Sequence, residues 1–367
     1  MDRIRVVQWA TGNIGTRALR SILRHPDLEL VGVLVYDPAK AGVDAGELCG
    51  EGPAGVTATT DPAAVLALAP DCVVHMARVW DATEVATLLA AGINVVTTRG
   101  EPEAGGARLP TDERALLLDA CARGNSSLYA TGSSPGFSTD ALPFALLSLQ
   151  RDVDLVEIDE FADLSQRDSP HLLFEQMGFG RAPDTFAGGA RAEHFQREFS
   201  ATLAVLAEAA RRPVDAWEVL GEVAAAAHDT TIVAGTLAAG SVAAQRTVVT
   251  GTADGVPVVR FRATWYCTKD VEPAWDLRDT GWRVQVQGDT PLDVAITFPV
   301  PLAELGAMTP SITANRPVNA VPFVCAAAPG ILTSHDLPPL VPAGLHDPAH
   351  DPARDPARDP AGDRRSR

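Results

Sequence analysis

Lysine is nearly missing from this 367-residue chain: it occurs only at Lys40 and Lys269, so arginine carries almost all of the positive charge. Positive charge is itself scarce, with 30 basic against 47 acidic residues and a formal net charge of -17. That balance excludes an extended surface for nucleic acid or an anionic membrane and leaves small molecules as the expected partners. Cysteine is limited to Cys49, Cys72, Cys121, Cys267 and Cys325, widely spaced and without a C-x-x-C pair. An odd set of scattered cysteines builds neither a disulfide framework nor a zinc site, and a reducing cytoplasm is the expected compartment. Apart from His346 and His350 within the Asp-Pro-Ala repeats, the histidines lack H-x-x-x-H spacing, and H-E-x-x-H does not occur, so no metal is expected. Long apolar runs are absent too. The longest uncharged stretches, 230–245 and 317–334, are broken by Gly or Pro, and charged residues at Asp2, Arg3 and Arg5 leave no room for a signal peptide.

What is present is enough apolar material for buried cores: 46% hydrophobic against 21% charged residues, in a chain long enough for two domains around a cleft. From Ile4 to Ala130 short β-branched runs alternate with helical stretches, the pattern of βαβ units and a parallel sheet. Beyond Ser138 the period changes to longer alternating strands around one long amphipathic helix, 191–211. The expected fold is α/β: a dinucleotide-binding Rossmann domain over 1–137 and an α+β mixed-sheet domain for substrate and dimerisation over 138–310. A Pro-punctuated segment, 311–335, returns to the first domain, and a disordered tail follows over 336–367, where Asp-Pro-Ala-x repeats cannot bury a core.

The first strand runs into Ala10-Thr11-Gly12-Asn13-Ile14-Gly15, a G-x-G-x-x-G turn with alanine in the first glycine position. Gly12 lets backbone approach a pyrophosphate, Gly15 lets the helix pack against the strand, and the helix N-terminus receives the phosphate charge. Thr11, Gly12, Asn13, Ile14 and Gly15 are therefore candidate cofactor residues. At the end of the second strand Asp37 is placed to bind ribose hydroxyls and Lys40 a 2′-phosphate, which points to use of both NADH and NADPH. Ala77 and Thr98, at the ends of later strands, face the nicotinamide side. Glu101, just beyond, is the candidate catalytic acid–base group. His75 is read as a satisfied strand-end histidine, and Trp265, Trp275 and Trp282 as packing on a sheet face. Gly132-x-Ser134-x-Gly136 has the outline of a hydrolase nucleophile elbow, but the residue after the serine is Pro135, which has no N–H to donate to an oxyanion. The turn is instead expected to line the cleft.

The stretches Val7–Gly15, His25–Val33, Asp37–Lys40 with Asp44–Leu48, Ser134–Phe137, Asp159–Asp163 and Pro317–Pro322 together resemble the dihydrodipicolinate reductase-like superfamily, in particular its 2,4-diaminopentanoate dehydrogenase and native amine dehydrogenase branch. The resemblance implies a Rossmann domain with an α+β domain, NADPH or NADH, a homodimer, and hydride transfer to a carbon–nitrogen double bond. It assigns the proton-handling glutamate to Glu101 and substrate contacts to Ser134 and Phe137, with Ser134 standing where that branch often has asparagine. Residues Glu160–Pro170 contain neither His nor Lys, unlike the His-His-x-x-x-Lys segment of true dihydrodipicolinate reductases, which argues against lysine-pathway activity. The expected function is NAD(P)H-dependent reductive amination of a small ketone or aldehyde with ammonia, or its reverse. Imine or carbonyl reduction without ammonia, and a catalytically silent NAD(P)-binding sensor, are the alternatives.

Overall fold

The computed structural model describes residues 2–185 and 188–343. Its strands are β1 (Ile4–Trp9), β2 (Leu28–Leu34), β3 (Ala58–Thr59), β4 (Cys72–His75), β5 (Asn94–Thr97), β6 (Ser127–Ala130), β7 (Val153–Asp163) and β8 (Ala216–Ala226). They continue with β9 (Thr230–Ile232), β10 (Gly235–Leu237), β11 (Val242–Ala253), β12 (Val256–Tyr266), β13 (Val271–Glu272), β14 (Gly281–Gly288), β15 (Leu292–Thr297) and β16 (Gly330–Leu332).

The first sheet has the order β16-β6-β5-β4-β1-β2-β3, and every pairing in it is parallel. Parallel neighbours require crossovers, and the helices Asn13–Arg24, Pro62–Ala67, Ala82–Ala90 and Thr111–Gly124 supply them. Their starts follow from sequence. Asp61 and Asp81 accept hydrogen bonds from the backbone N–H groups of Ala63 and of Thr83 and Glu84, and Pro62 takes the first helical position, where its missing N–H costs nothing. With helices on both faces the strands are buried on both, so Val6, Val7, Val73, Val74, Val95 and Val96 are fully buried. This is the Rossmann-type α/β sheet expected from the sequence.

The second sheet runs β13-β8-β11-β12-β7-β14-β15; β12 and β7 are parallel and its other pairs antiparallel. The helix Gly188–Ala209 covers one face, where Phe195, Phe199, Leu203 and Leu206 join Ile158, Phe261 and Val284 in one apolar cluster. Phe199 stacks on Phe261 with ring centroids 3.9 Å apart. Strand β8 has no counterpart in the sequence reading, because its alanines and Gly221 dilute the period-2 signal that Trp217, Val219 and Val223 carry.

The segment expected as a Pro-punctuated return is a 25-residue helix, Leu302–Ala326, containing Pro310, Pro317 and Pro322. Proline removes a helical hydrogen bond, yet Ala314, Val318, Val321 and Val324 form a buried stripe at helical spacing against the parallel sheet, and that burial holds the helix. The chain then enters the first sheet as β16, parallel to β6. The disordered tail expected from Asp336 is corrected at its start: Leu337 is buried in the same cluster and Leu340 packs against it. The Asp-Pro-Ala repeats fall within 344–367, outside the described residues.

Candidate active site

The turn after β1 is built around Ala10, whose φ of 71° lies in the left-handed region that glycine takes most easily, a cost of roughly 1–2 kcal/mol for a residue with a Cβ. The Ala10 carbonyl is fixed by Gln8 Nε2 at 2.8 Å, with Gln8 fully buried. A Cβ on Gly15 would sit 2.1 Å from that same oxygen, so only glycine lets the helix start there. A Cβ on Gly12 would meet nothing within 4 Å. Gly12 caps the helix without any side-chain hydrogen bond, which leaves the N–H groups of its first turn to an external acceptor. Open space before Gly12, uncapped amides at Asn13 and Ile14, and a tight Gly15 fit a dinucleotide pyrophosphate.

Lys40 Nζ donates to the Thr11 carbonyl at 2.9 Å and to Thr11 Oγ1 at 3.3 Å, so this cation braces the turn from the β2 side. Asp37 Oδ1 accepts the Ala39 N–H at 3.0 Å, and its side chain stays exposed at the end of β2. Ala77 and Thr98 follow the neighbouring strands β4 and β5, linked where Thr98 Oγ1 donates to Met76 Sδ at 3.3 Å. His75 is fully buried and lies 2.9 Å from Glu84 through Nε2, while its Nδ1 has no hydrogen-bond partner, so the expectation of a satisfied histidine holds for one ring nitrogen only.

Glu101 lies beyond the end of β5 but is not a free carboxylate. Arg99, two residues earlier, grips it through Nε at 3.0 Å and through Nη2, and Arg99 Nη1 reaches the Arg78 carbonyl at 2.8 Å, tying together the loops after β4 and β5. Burial raises its carboxyl, but the Arg99 hydrogen bonds and charge, with Arg108 behind, leave it below the ordinary glutamate range. Glu101 is held as an anion paired with Arg99, because one loop carries both charges, and that pairing makes it a weaker base.

A cleft of about 240 Å³ separates the turn after β6 from the second sheet and the helix Leu302–Ala326. Ser134 lines it, its Oγ buried and without a hydrogen-bond partner, so the serine has no base and the hydrolase outline fails on a second count. Phe137 packs edge-on to Trp282, centroids 6.0 Å apart, and the Arg316 guanidinium lies 5.8 Å from the Phe137 centroid. Trp282 and Phe298 wall the cleft, which corrects the reading of Trp282 as sheet packing alone. Inside the cleft, Glu160 accepts the indole N–H of Trp265 on one carboxylate oxygen and that of Trp282 on the other, each at 3.1 Å. The register explains it: Trp282 is paired with Glu160 across β14 and β7, and Trp265 stands one diagonal step away on β12. The sequence by itself does not place Glu160 in the cleft. Its signal is an acid in a strand whose partner strands carry tryptophan.

A parallel dinucleotide-binding sheet with a second, mixed sheet closing a cleft at its carboxyl edge is the build of a nicotinamide-dependent oxidoreductase. The model of the 2,4-diaminopentanoate dehydrogenase C-terminal domain matches residues 137–354, and that of the dihydrodipicolinate reductase N-terminus matches residues 5–105. An amine dehydrogenase of Streptomyces virginiae is 30% identical over 360 residues, 91% of this chain and 96% of that relative. A 4-hydroxy-tetrahydrodipicolinate reductase of Synechocystis is 38% identical over 64 residues, 17% of this chain and 23% of that one. The solved amine dehydrogenase of Mycobacterium smegmatis shares the fold at a TM-score of 0.71 and 22% identity, over 92% of this chain and 97% of that one. The chain belongs to the 2,4-diaminopentanoate dehydrogenase family and is an NAD(P)-dependent oxidoreductase.

Behind the turn after β6, burial pushes Asp140 up to about 6, against the opposing Arg316 charge and the Ser334 and Ala141 hydrogen bonds. Between the ordinary aspartate value and about 6 the folded state binds a proton that the unfolded chain has released, so this group's contribution to stability falls as pH rises through that window. Asp140→Asn is expected to flatten the thermal midpoint between pH 4 and 6.5 relative to the parent chain. An unchanged difference across that range would place the titration elsewhere.

Proposed function

We propose that this protein reductively aminates a small ketone or aldehyde with ammonia, using NADPH or NADH, and runs the oxidative deamination in reverse. The carrying observation is the aromatic-walled cleft that opens at Ser134 beside the dinucleotide edge of the parallel sheet and ends on the Glu160 carboxylate. The family relationship and an amine dehydrogenase relative support the choice of a carbon–nitrogen bond. Thr11, Gly12, Asn13, Ile14 and Gly15 would hold the pyrophosphate, Asp37 the ribose, and Ala77 and Thr98 the nicotinamide side. The cofactor, when bound, supplies the hydride. The chain supplies the environment. A carbonyl and ammonium give an iminium and water, with the positive charge carried over to the iminium. Glu101, kept anionic by Arg99, stabilises that charge, while Trp282 and Phe298 keep water from the carbon under attack. Ser134 Oγ orients the substrate oxygen or nitrogen, and Phe137 closes the pocket beside it. We also propose a homodimer in the cytoplasm; among the described residues no helix is long and apolar enough to cross a membrane. Equilibrium sedimentation checks the assembly.

The test is NADPH and NADH oxidation with a panel of short ketones and aldehydes, with and without ammonium. Consumption that depends on ammonium is expected. Equal consumption in both arms would make the protein a carbonyl or imine reductase, and tight cofactor binding without turnover would make it a sensor.

Dual cofactor use rests on opposed charges: exposed Asp37 accepts from a free ribose and repels a 2′-phosphate, and half-buried Lys40 offsets that repulsion, with charge pairs near the surface worth about 0–1 kcal/mol. Because Lys40 also braces Thr11, Lys40→Ala should weaken both cofactors, NADPH more. Asp37→Ser should weaken NADH and spare NADPH. Binding titrations that show the same loss for both cofactors in both variants would remove these residues from ribose recognition.

A further inference from the structure

The carboxylate inside the cleft does something that the charge on Glu101 does not. Each oxygen of Glu160 accepts one indole N–H at 3.1 Å, from Trp282 on β14 and from Trp265 on β12. Those two strands flank β7, so the carboxylate is gripped from both sides of its own strand. An indole N–H only donates and a carboxylate only accepts, which makes glutamate a fitting partner for two indoles at once. With both oxygens engaged, the plane of the carboxylate is fixed, and with it the edge that each indole presents.

What this clamp holds is a wall of the cleft. Trp282 is only 9% exposed and stands between two aromatic neighbours, Phe137 at 6.0 Å and Phe298 at 5.4 Å between centroids, both edge-on. Glu160, Trp282 and Phe298 all line the cleft of about 240 Å³. At the other oxygen, Trp265 packs on Phe195 of the helix Gly188–Ala209, with centroids 5.2 Å apart. The carboxylate therefore ties the aromatic wall to the apolar cluster beneath that helix. Edge-on ring contacts favour several packings, whereas a hydrogen bond gives the indole one direction. A turn of the Trp282 ring would leave its buried N–H without an acceptor, and an unmade hydrogen bond of that kind is costly.

We propose that Glu160 is a positioning residue that sets the size limit of the substrate: by holding the Trp282 indole it keeps that ring as a fixed stop in the cleft, so short ketones and aldehydes fit and those with a bulky arm collide with it. Glu160 touches no reacting atom in this role and acts through Trp282. The inference deepens the reading of the cleft as the substrate site and rests on it. Its signature is a change in which substrates are accepted, carried mainly by KM, because the ring discriminates by contact and not by charge.

The experiment compares butanone with phenylacetone in the full chain and in Glu160→Ala, Glu160→Gln and Trp282→Phe, with cofactor oxidation as the readout. The ratio of kcat/KM for the bulky ketone to that for the short one should rise about tenfold or more in Glu160→Ala and Trp282→Phe, and by less in Glu160→Gln, which keeps one acceptor oxygen. Should Glu160→Ala fold poorly, the other two variants carry the comparison. Calorimetric titration of both ketones into the chain saturated with oxidised cofactor gives the same ratio as affinities, without turnover. Turnover that ignores ammonium would therefore defeat reductive amination and leave the size limit readable. An unchanged ratio in the Glu160 variants would overturn the proposal, and so would a rise confined to Trp282→Phe, which would show that the ring keeps its place without the clamp. A loss of kcat on butanone in Glu160→Ala at an unchanged ratio would overturn it too, as would a parent chain that neither binds nor turns over either ketone.

Discussion

Glu101→Gln is expected to lower turnover by about 10²–10³ while leaving cofactor affinity and thermal midpoint close to those of the parent chain. The reason is electrostatic. Arg99 keeps Glu101 ionised below the ordinary glutamate range, so its contribution is a fixed negative charge near the end of β5, where the proposed iminium gathers positive charge. Glutamine keeps the shape and one hydrogen bond to Arg99 and loses the charge. A pH profile separates this role from proton shuttling: a charge-stabilising carboxylate leaves no inflection from pH 6 to 8 that the variant removes. Glu160→Gln is the informative comparison, because Glu160 is the carboxylate that the cleft itself contains. Full activity of Glu101→Gln together with a large loss in Glu160→Gln would move the catalytic charge from the first sheet to the second.

Gly15→Ala is expected to abolish measurable cofactor binding and to destabilise the fold by about 1–3 kcal/mol or more. The new Cβ would fall 2.1 Å from the Ala10 oxygen, and that oxygen cannot yield easily, because Gln8 holds it and Ala10 already occupies a left-handed conformation. Relief must come from the helix Asn13–Arg24 moving away from β1, which withdraws its first-turn amides from the pyrophosphate position. Gly12→Ala, with open space before it, should fold normally and lose affinity alone. Cofactor titration with melting curves for the two variants checks the contrast; equal stability losses would contradict it.

Much of this architecture was legible in the sequence where local chemistry and period agree. Asp61-Pro62 starts a helix because side chain and ring both suit the first turn, and Ala10–Gly15 announces a phosphate turn because each glycine answers a separate steric demand. The reading missed the features set by long-range register. Glu160 meets Trp282 and Trp265 only after β7 has paired with β14 and β12, more than a hundred residues away in sequence. The helix Leu302–Ala326 hid behind three prolines, because its support is the sheet beneath it and not its own hydrogen bonds. Glu101 was placed correctly beyond β5, but its ion pair with Arg99 depends on how the loop folds back.

The most direct measurement is isotopic: the full chain with a short ketone, ¹⁵N-ammonium and nicotinamide cofactor deuterated at the transferring carbon, followed by mass spectrometry of the product. The expected product is a primary amine carrying one ¹⁵N and one deuterium on the same carbon. Deuterated alcohol without ¹⁵N, formed at the same rate whether or not ammonium is present, would contradict reductive amination.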